Sequence, residues 1–121
     1  MGGAGPARAS SRGPRPGPLT VRVCAAADLP DRATVRVTVW DVTRADAVAR
    51  PVATRSVHPH GGTVDGVELP APPPVRGKRY QVSVHVDVDG SGEVVPGDWV
   101  STAAHPVPSR GGDLLVPVSR V

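Results

Sequence analysis

Valine at every second position is the pattern that most limits what this chain can fold into. From Ala33 to Thr43, Val35, Val37 and Val39 alternate with Thr34, Arg36 and Thr38. From Tyr80 to Val88, Tyr80, Val82, Val84, Val86 and Val88 alternate with Gln81, Ser83, His85 and Asp87. A period of two puts each set on one face of a β-strand, whereas a helix needs a period of 3.6. Valine is stiff at χ1 and suits a pleated, half-buried surface. The chain has no Phe, one Tyr and two Trp, so Val, Leu and Ala must fill the core. Trp40 and Val42 fall on the opposite face from Val35, which predicts a bulge near Trp40 or burial of both faces there.

Weaker strand signals surround these two. Leu19, Val21 and Val23 alternate with Thr20 and Arg22, and Asp28–Asp31 reads as a turn. Arg44–Ala49 has the composition for one helical turn. Pro51–Val57 is a strand placed at an edge by Pro51, and His58–Gly62 is a turn. Val64–Leu69, Gly97–Ala104 and Leu114–Val121 complete the set, the last also assigned to an edge because of Pro117. The proline run Pro70–Pro74, interrupted by Ala71, is an extended connector, since proline fixes φ and lacks an amide donor. No convincing amphipathic helix exists. The expected fold is all-β: a single-domain β-sandwich of about seven strands, Ig-like or transthyretin-like.

At 121 residues the chain makes one domain of ordinary size, able to bury roughly two-thirds of its unfolded surface. Residues 1–18 are Gly/Pro/Arg/Ser-rich and read as a disordered tail, leaving 19–121 as the sandwich domain. The net charge of +3 belongs to that tail. Arg8, Arg12 and Arg15 lie in it without an acid, while eleven Lys and Arg balance eleven Asp and Glu beyond it. This argues against specific nucleic-acid binding. Cys24 is the lone cysteine, so no intrachain disulfide forms, and it reads as a small buried strand residue. No apolar run approaches the roughly 20 residues of a membrane span. Residues 1–18 lack the apolar stretch of a signal peptide, so the chain as written reads as cytoplasmic. Export to the cell envelope is the alternative if its start is misassigned.

One segment carries sharper chemistry. Asp87-Val88-Asp89-Gly90-Ser91-Gly92-Glu93-Val94-Val95-Pro96-Gly97-Asp98 fits a twelve-residue calcium loop. Such a loop offers oxygens from positions 1, 3, 5, 7 and 12, with glycine at position 6. The candidate metal ligands are therefore Asp87, Asp89, Ser91, the Glu93 carbonyl and Asp98. Four carboxylates in twelve residues, with no Lys or Arg among them, repel unless a cation sits between them. Asp at position 12 makes bidentate ligation harder, so the expected affinity is weak, about 10⁻⁴–10⁻³ M. A polar hairpin turn is the plainer reading of the same residues.

Nothing else points to catalysis. There is no G-x-S-x-G, no phosphate loop and no dinucleotide fingerprint. His58-Pro59-His60 lacks a third zinc ligand and reads as an exposed turn. His85 lies opposite the valine stripe and reads as a surface residue. The Arg76-Gly77-Lys78-Arg79 cluster reads as solvating the start of a strand. The chain is expected not to be an enzyme.

Several stretches resemble one family. Leu29-Pro30-Asp31-Arg32-Ala33-Thr34-Val35, then Trp40-Asp41-Val42-Thr43-Arg44-Ala45-Asp46, is similar to the opening of YbaY-type lipoprotein domains. These are grouped with the YscW-like type III secretion lipoprotein chaperones, or pilotins. Asp41–Asp46 resembles the family's "DVSRAD" turn, and Gly77-Lys78-Arg79-Tyr80 its "GRRY" opening of a central strand. Ser101-Thr102-Ala103-Ala104-His105-Pro106-Val107 resembles its "TSQSYPV" segment, with His105 where Tyr is usual. The resemblance spans about residues 19–121. It implies a β-sandwich, no catalysis, and chaperoning of an envelope protein by some members. The lipidated cysteine that follows a signal in family lipoproteins has no counterpart at Cys24, which Arg22 precedes.

Two functional readings follow. One is a small non-enzymatic binding module stabilised by calcium at residues 87–98. The other is an envelope-associated, pilotin-like chaperone that binds a protein partner along an exposed sheet edge.

Overall fold

The computed structural model describes residues 17–73, 75–108 and 111–121. The disordered tail expected over 1–18 lies almost wholly outside them. Pro18 is tied down, its carbonyl accepting the Gly112 amide at 3.1 Å.

All seven elements are strands: β1 (Leu19–Ala25), β2 (Thr34–Asp41), β3 (Arg50–Val57), β4 (Val67–Leu69), β5 (Tyr80–Asp87), β6 (Trp99–Val100) and β7 (Gly112–Arg120). They hydrogen-bond in the order β3-β2-β5-β6-β7-β1-β4. Every pair is antiparallel except β1 with β7. β7 is long enough to serve two layers. Gly112–Val118 pair with β1, and only Ser119 and Arg120 pair with β6. Across the remaining gap the Arg55 guanidinium donates to the Glu68 carbonyl at 3.1 Å, joining β3 to β4. The expected two-sheet sandwich is thus one mixed sheet folded over and nearly closed into a barrel.

The valine periodicity builds the interior. Val35, Val37 and Val39 of β2 and Val82, Val84 and Val86 of β5 are buried. They meet Leu19 and Val21 of β1 and Val116 and Val118 of β7. Trp99 is the one tryptophan in this cluster. Trp40 lies on the other face, where its indole N–H donates to Ser83 Oγ at 2.7 Å. The β2–β3 register shifts between Val39 and Trp40, where a bulge was expected, but the extra residue is Val52 on β3 and β2 keeps its alternation against β5.

Four expectations need correction. β7 lies between β6 and β1 in the strand order, not at an edge. Pro117 is accommodated because β6 is only two residues long, leaving Gly112–Val118 without a strand partner on that side. The strand expected over Gly97–Ala104 shrinks to Trp99–Val100. Past Ser101 the chain leaves the ladder and rejoins β5 at His105–Val107, through Val82 N–H to the His105 carbonyl (2.9 Å) and Val107 N–H to the Tyr80 carbonyl (3.1 Å). Arg44–Ala49 makes a reverse turn, with Ala47 N–H on the Arg44 carbonyl at 3.3 Å, instead of a helical turn. Cys24 is on a strand as expected but is exposed, because it alternates with the inward-facing Val21 and the half-buried Val23.

The core has few large side chains, so each valine matters. Val37 is fully buried, and Val37→Ala removes two methylene equivalents and leaves a void. The expected loss is about 2 kcal/mol, read as a lower urea midpoint with an unchanged slope.

Candidate functional site

The loop after β5 is built around two buried carboxylates. Asp87, the last residue of β5, is 3% exposed. It accepts the Gly90 amide at 3.0 Å on Oδ1 and the Gly92 amide at 2.8 Å on Oδ2. Gly92 has φ +80°, which turns its N–H back to Asp87 at little cost to a residue without Cβ. Asp98, 1% exposed, accepts the Val88 amide at 3.0 Å on Oδ1. Its Oδ2 takes the Val95 amide at 3.2 Å and faces His85 Nε2 at 2.8 Å. Burial alone would raise the Asp98 carboxyl. The His85 contact and the Val88 and Val95 amides outweigh it and hold the group below its ordinary value.

Four clustered carboxylates repel unless something neutralises them. For the buried pair, the structure provides four backbone amides and one imidazole. The other predicted ligands stand apart. Asp89 and Glu93 are exposed, and so is Ser91, whose amide donates to Asp89 Oδ1 at 3.1 Å and whose hydroxyl donates to the Glu93 carbonyl at 3.1 Å. That first contact holds the Asp89 carboxyl below its ordinary value. His85, Asp87 and Asp98 offer ligand atoms within 4.8 Å of one another. The loop therefore brings together two of the five proposed ligands and adds a residue assigned to the surface. His85 is half-buried because Val100 of β6 pairs beside it. Its spacing from Asp98, across a hairpin, gave no local signal. Calcium at this loop stands as a proposal in which the cation shares Asp87 and Asp98 with donors already bonded to them. A melting temperature several degrees higher in millimolar calcium than in EDTA would support it, and identical curves would remove it.

At the opposite end of β5 a second constellation forms. Asp41, closing β2, accepts the Thr43 hydroxyl and the Thr43 amide (2.9 Å), and the Lys78 ammonium lies 3.3 Å away. The Thr43 hydroxyl is the largest influence, and together these bonds lower the Asp41 carboxyl to about 2. Thr43 Oγ1 in turn accepts the Arg79 amide at 3.0 Å, and Val42 N–H donates to the Arg79 carbonyl at 2.9 Å. Residues 41–43, 77–80 and 105–107 are thus stitched together around Tyr80. Beside them opens a groove of about 520 Å³ lined by Pro72, Pro73, Val75, Tyr80, Pro106 and Val107, with Arg76, Lys78 and Arg79 among its other residues. The sequence showed the basic cluster and the prolines separately. Only the rejoining of residues 105–107 to β5 makes them one surface.

The family model for "Type III secretion system lipoprotein chaperone (YscW)" matches residues 18–112. The chain belongs to this family. Among solved structures it is similar to an alternative pilotin from the type II secretion system of Vibrio cholerae. The TM-score is 0.65 at 23% identity, covering 87% of this chain and 98% of that one. At that identity the likeness shows a shared fold. A search of the curated proteins finds no match to the chain. No helix among the described residues is long and apolar enough to cross a membrane.

The Asp98 network gives a direct test. Asp98→Asn places an N–H₂ where amide donors converge, at an expected cost of about 2–3 kcal/mol. The folded carboxyl titrates below the unfolded value of about 3.9, so its contribution is complete above that value and is lost as pH falls through the folded one. Melting temperature followed below about pH 4 should fall more steeply for the wild type than for D98N.

Proposed function

We propose that the chain is a non-enzymatic, envelope-associated chaperone of the pilotin kind, which holds a protein partner by pairing with the open edge of β3. Family membership supports the chaperone reading over the calcium-stabilised module, and the envelope over the cytoplasm. The family's description names lipoprotein chaperones of a secretion system, so a component of such a system is the natural class of partner.

The observation that carries the reading is the state of β3. Among the described residues this eight-residue strand pairs only with β2, and six of its residues, Arg50, Pro51, Val52, Thr54, Arg55 and Ser56, are exposed. Long bare edges invite strand addition, and proteins that do not use them usually cover or charge them. Here Pro51 and the bulge at Val52 interrupt the start. The Arg55 contact to Glu68 ties down one point near the end. The backbone between offers hydrogen bonds to an extended segment, and Val52, 49% exposed, offers it an apolar contact.

The test is co-purification with outer-membrane secretion components from the same cell. The wild type should retain a partner. Val52→Lys, which charges the edge, should reduce retention by about tenfold while changing stability by no more than about 0.5 kcal/mol. Equal retention by both proteins would remove β3 from the interface, and no retained partner would remove the chaperone reading.

A further inference from the structure

The groove beside Tyr80 lies at a different place from the β3 edge, and its chemistry is more specific. Resting on the chaperone reading, we infer that it receives an acidic segment of the protein partner, with aliphatic side chains beside its carboxylates. Shape is the first argument. A concavity of about 520 Å³ falls within the range of built ligand sites, about 300–1,000 Å³, and holds several side chains. Pro72, Pro73 and Pro106 stand in its walls, where their fixed φ leaves little backbone freedom to lose on binding. Val75 is 51% exposed there, an apolar contact without a cover.

Charge is the second argument. Arg76, Lys78 and Arg79 line the groove, and none of its described lining residues is acidic. Lys78 has Asp41 as a partner. The Arg79 guanidinium meets the Val42 carbonyl at 3.4 Å, and neither Arg76 nor Arg79 is in an ion pair among the described residues. Two guanidinium groups beside an apolar wall suit carboxylates next to aliphatic side chains, since the planar fork binds carboxylate bidentately. An anionic membrane would satisfy the same charges. A concave groove fits an inserted chain better than a flat surface, and the most exposed valine, Val48 at 93%, is not part of its lining.

The experiment is fluorescence anisotropy on the full chain. The probes are a labelled peptide of leucines interspersed with glutamates and a control with lysines in place of glutamates. The acidic peptide should bind and the basic one should not. The double variant Arg76→Glu/Arg79→Glu should weaken binding by about tenfold or more and flatten its salt dependence. Val75→Ser, at a half-exposed position that spares the core, should weaken it several-fold. Val52→Lys should leave it unchanged, so loss of the edge reading and loss of this one are distinguishable. The proposal is overturned if the wild type ignores the acidic peptide at millimolar concentration, or if the double variant, with an unchanged melting temperature, binds it equally well. It is also overturned if phosphatidylglycerol vesicles bind the chain while the peptide does not, which would give the basic groove to a membrane.

Discussion

Eight consecutive residue pairs, from Thr34↔Asp87 to Asp41↔Tyr80, join β2 to β5 without interruption. On the inner face this ladder sets Val35, Val37 and Val39 against Val86, Val84 and Val82. The rest of the molecule is arranged around it. β3 extends the sheet on one side through the Val39/Trp40 shift. Short β6 relays the other side to β7, which hands the sheet over to β1 and β4. At about 3.4 Å per residue the ladder spans roughly 24 Å, and each of its ends carries a constellation of charged side chains. Asp87 begins the acidic loop. Asp41 and Tyr80 begin the basic groove.

The two ends settle their charge differently. At the acidic end, the buried carboxylates turn inward and are met by backbone amides and His85. A carboxylate that accepts two or three good hydrogen bonds is stabilised in its charged form without a counter-ion. The glycines at 90 and 92 make this possible, because only a tightly curled backbone points its amides back at Asp87. At the basic end the settlement is partial. Asp41 answers Lys78, while Arg76 and Arg79 are exposed and in no ion pair among the described residues. Internally satisfied charge acts on stability. Charge that is left open beside an apolar groove is free to act on a partner.

The strands that follow strict alternation were legible from sequence, because period two leaves no freedom about which side chains enter the core. The irregularity at Trp40 was legible only in part: the register with β3 does shift there, but the extra residue is Val52 on β3, and β2 keeps its alternation against β5. Pro51 correctly marked an edge. Pro117 marked an unpaired side and not an edge strand: β7 lies inside the strand order, but β6 is too short to reach past Ser119. The calcium pattern showed its limit in a similar way. Residue types and spacing placed oxygens in order along the chain, but which oxygens face inward depends on the donors that reach them. Those donors include His85 from a neighbouring strand position. The groove was hidden because its parts, 72–80 and 105–108, are far apart in sequence.

A core of small, stiff residues also bears on how such a molecule can bind. Valine has little rotamer freedom, so the sheet is a poor candidate for binding by internal rearrangement. Binding of the kind proposed would use surfaces already formed: the β3 edge, which has no second strand partner among the described residues, and the groove, where prolines fix φ in the walls. Both lower the ordering that association has to offset. They lie on β3 and around Tyr80, and β2 lies between them through its pairs with β3 and β5. A partner carrying both an extended stretch and an acidic one would engage both proposed surfaces, each raising the effective concentration of the other. That gain depends on the spacing between the two stretches and is lost when a linker is too short to span β2.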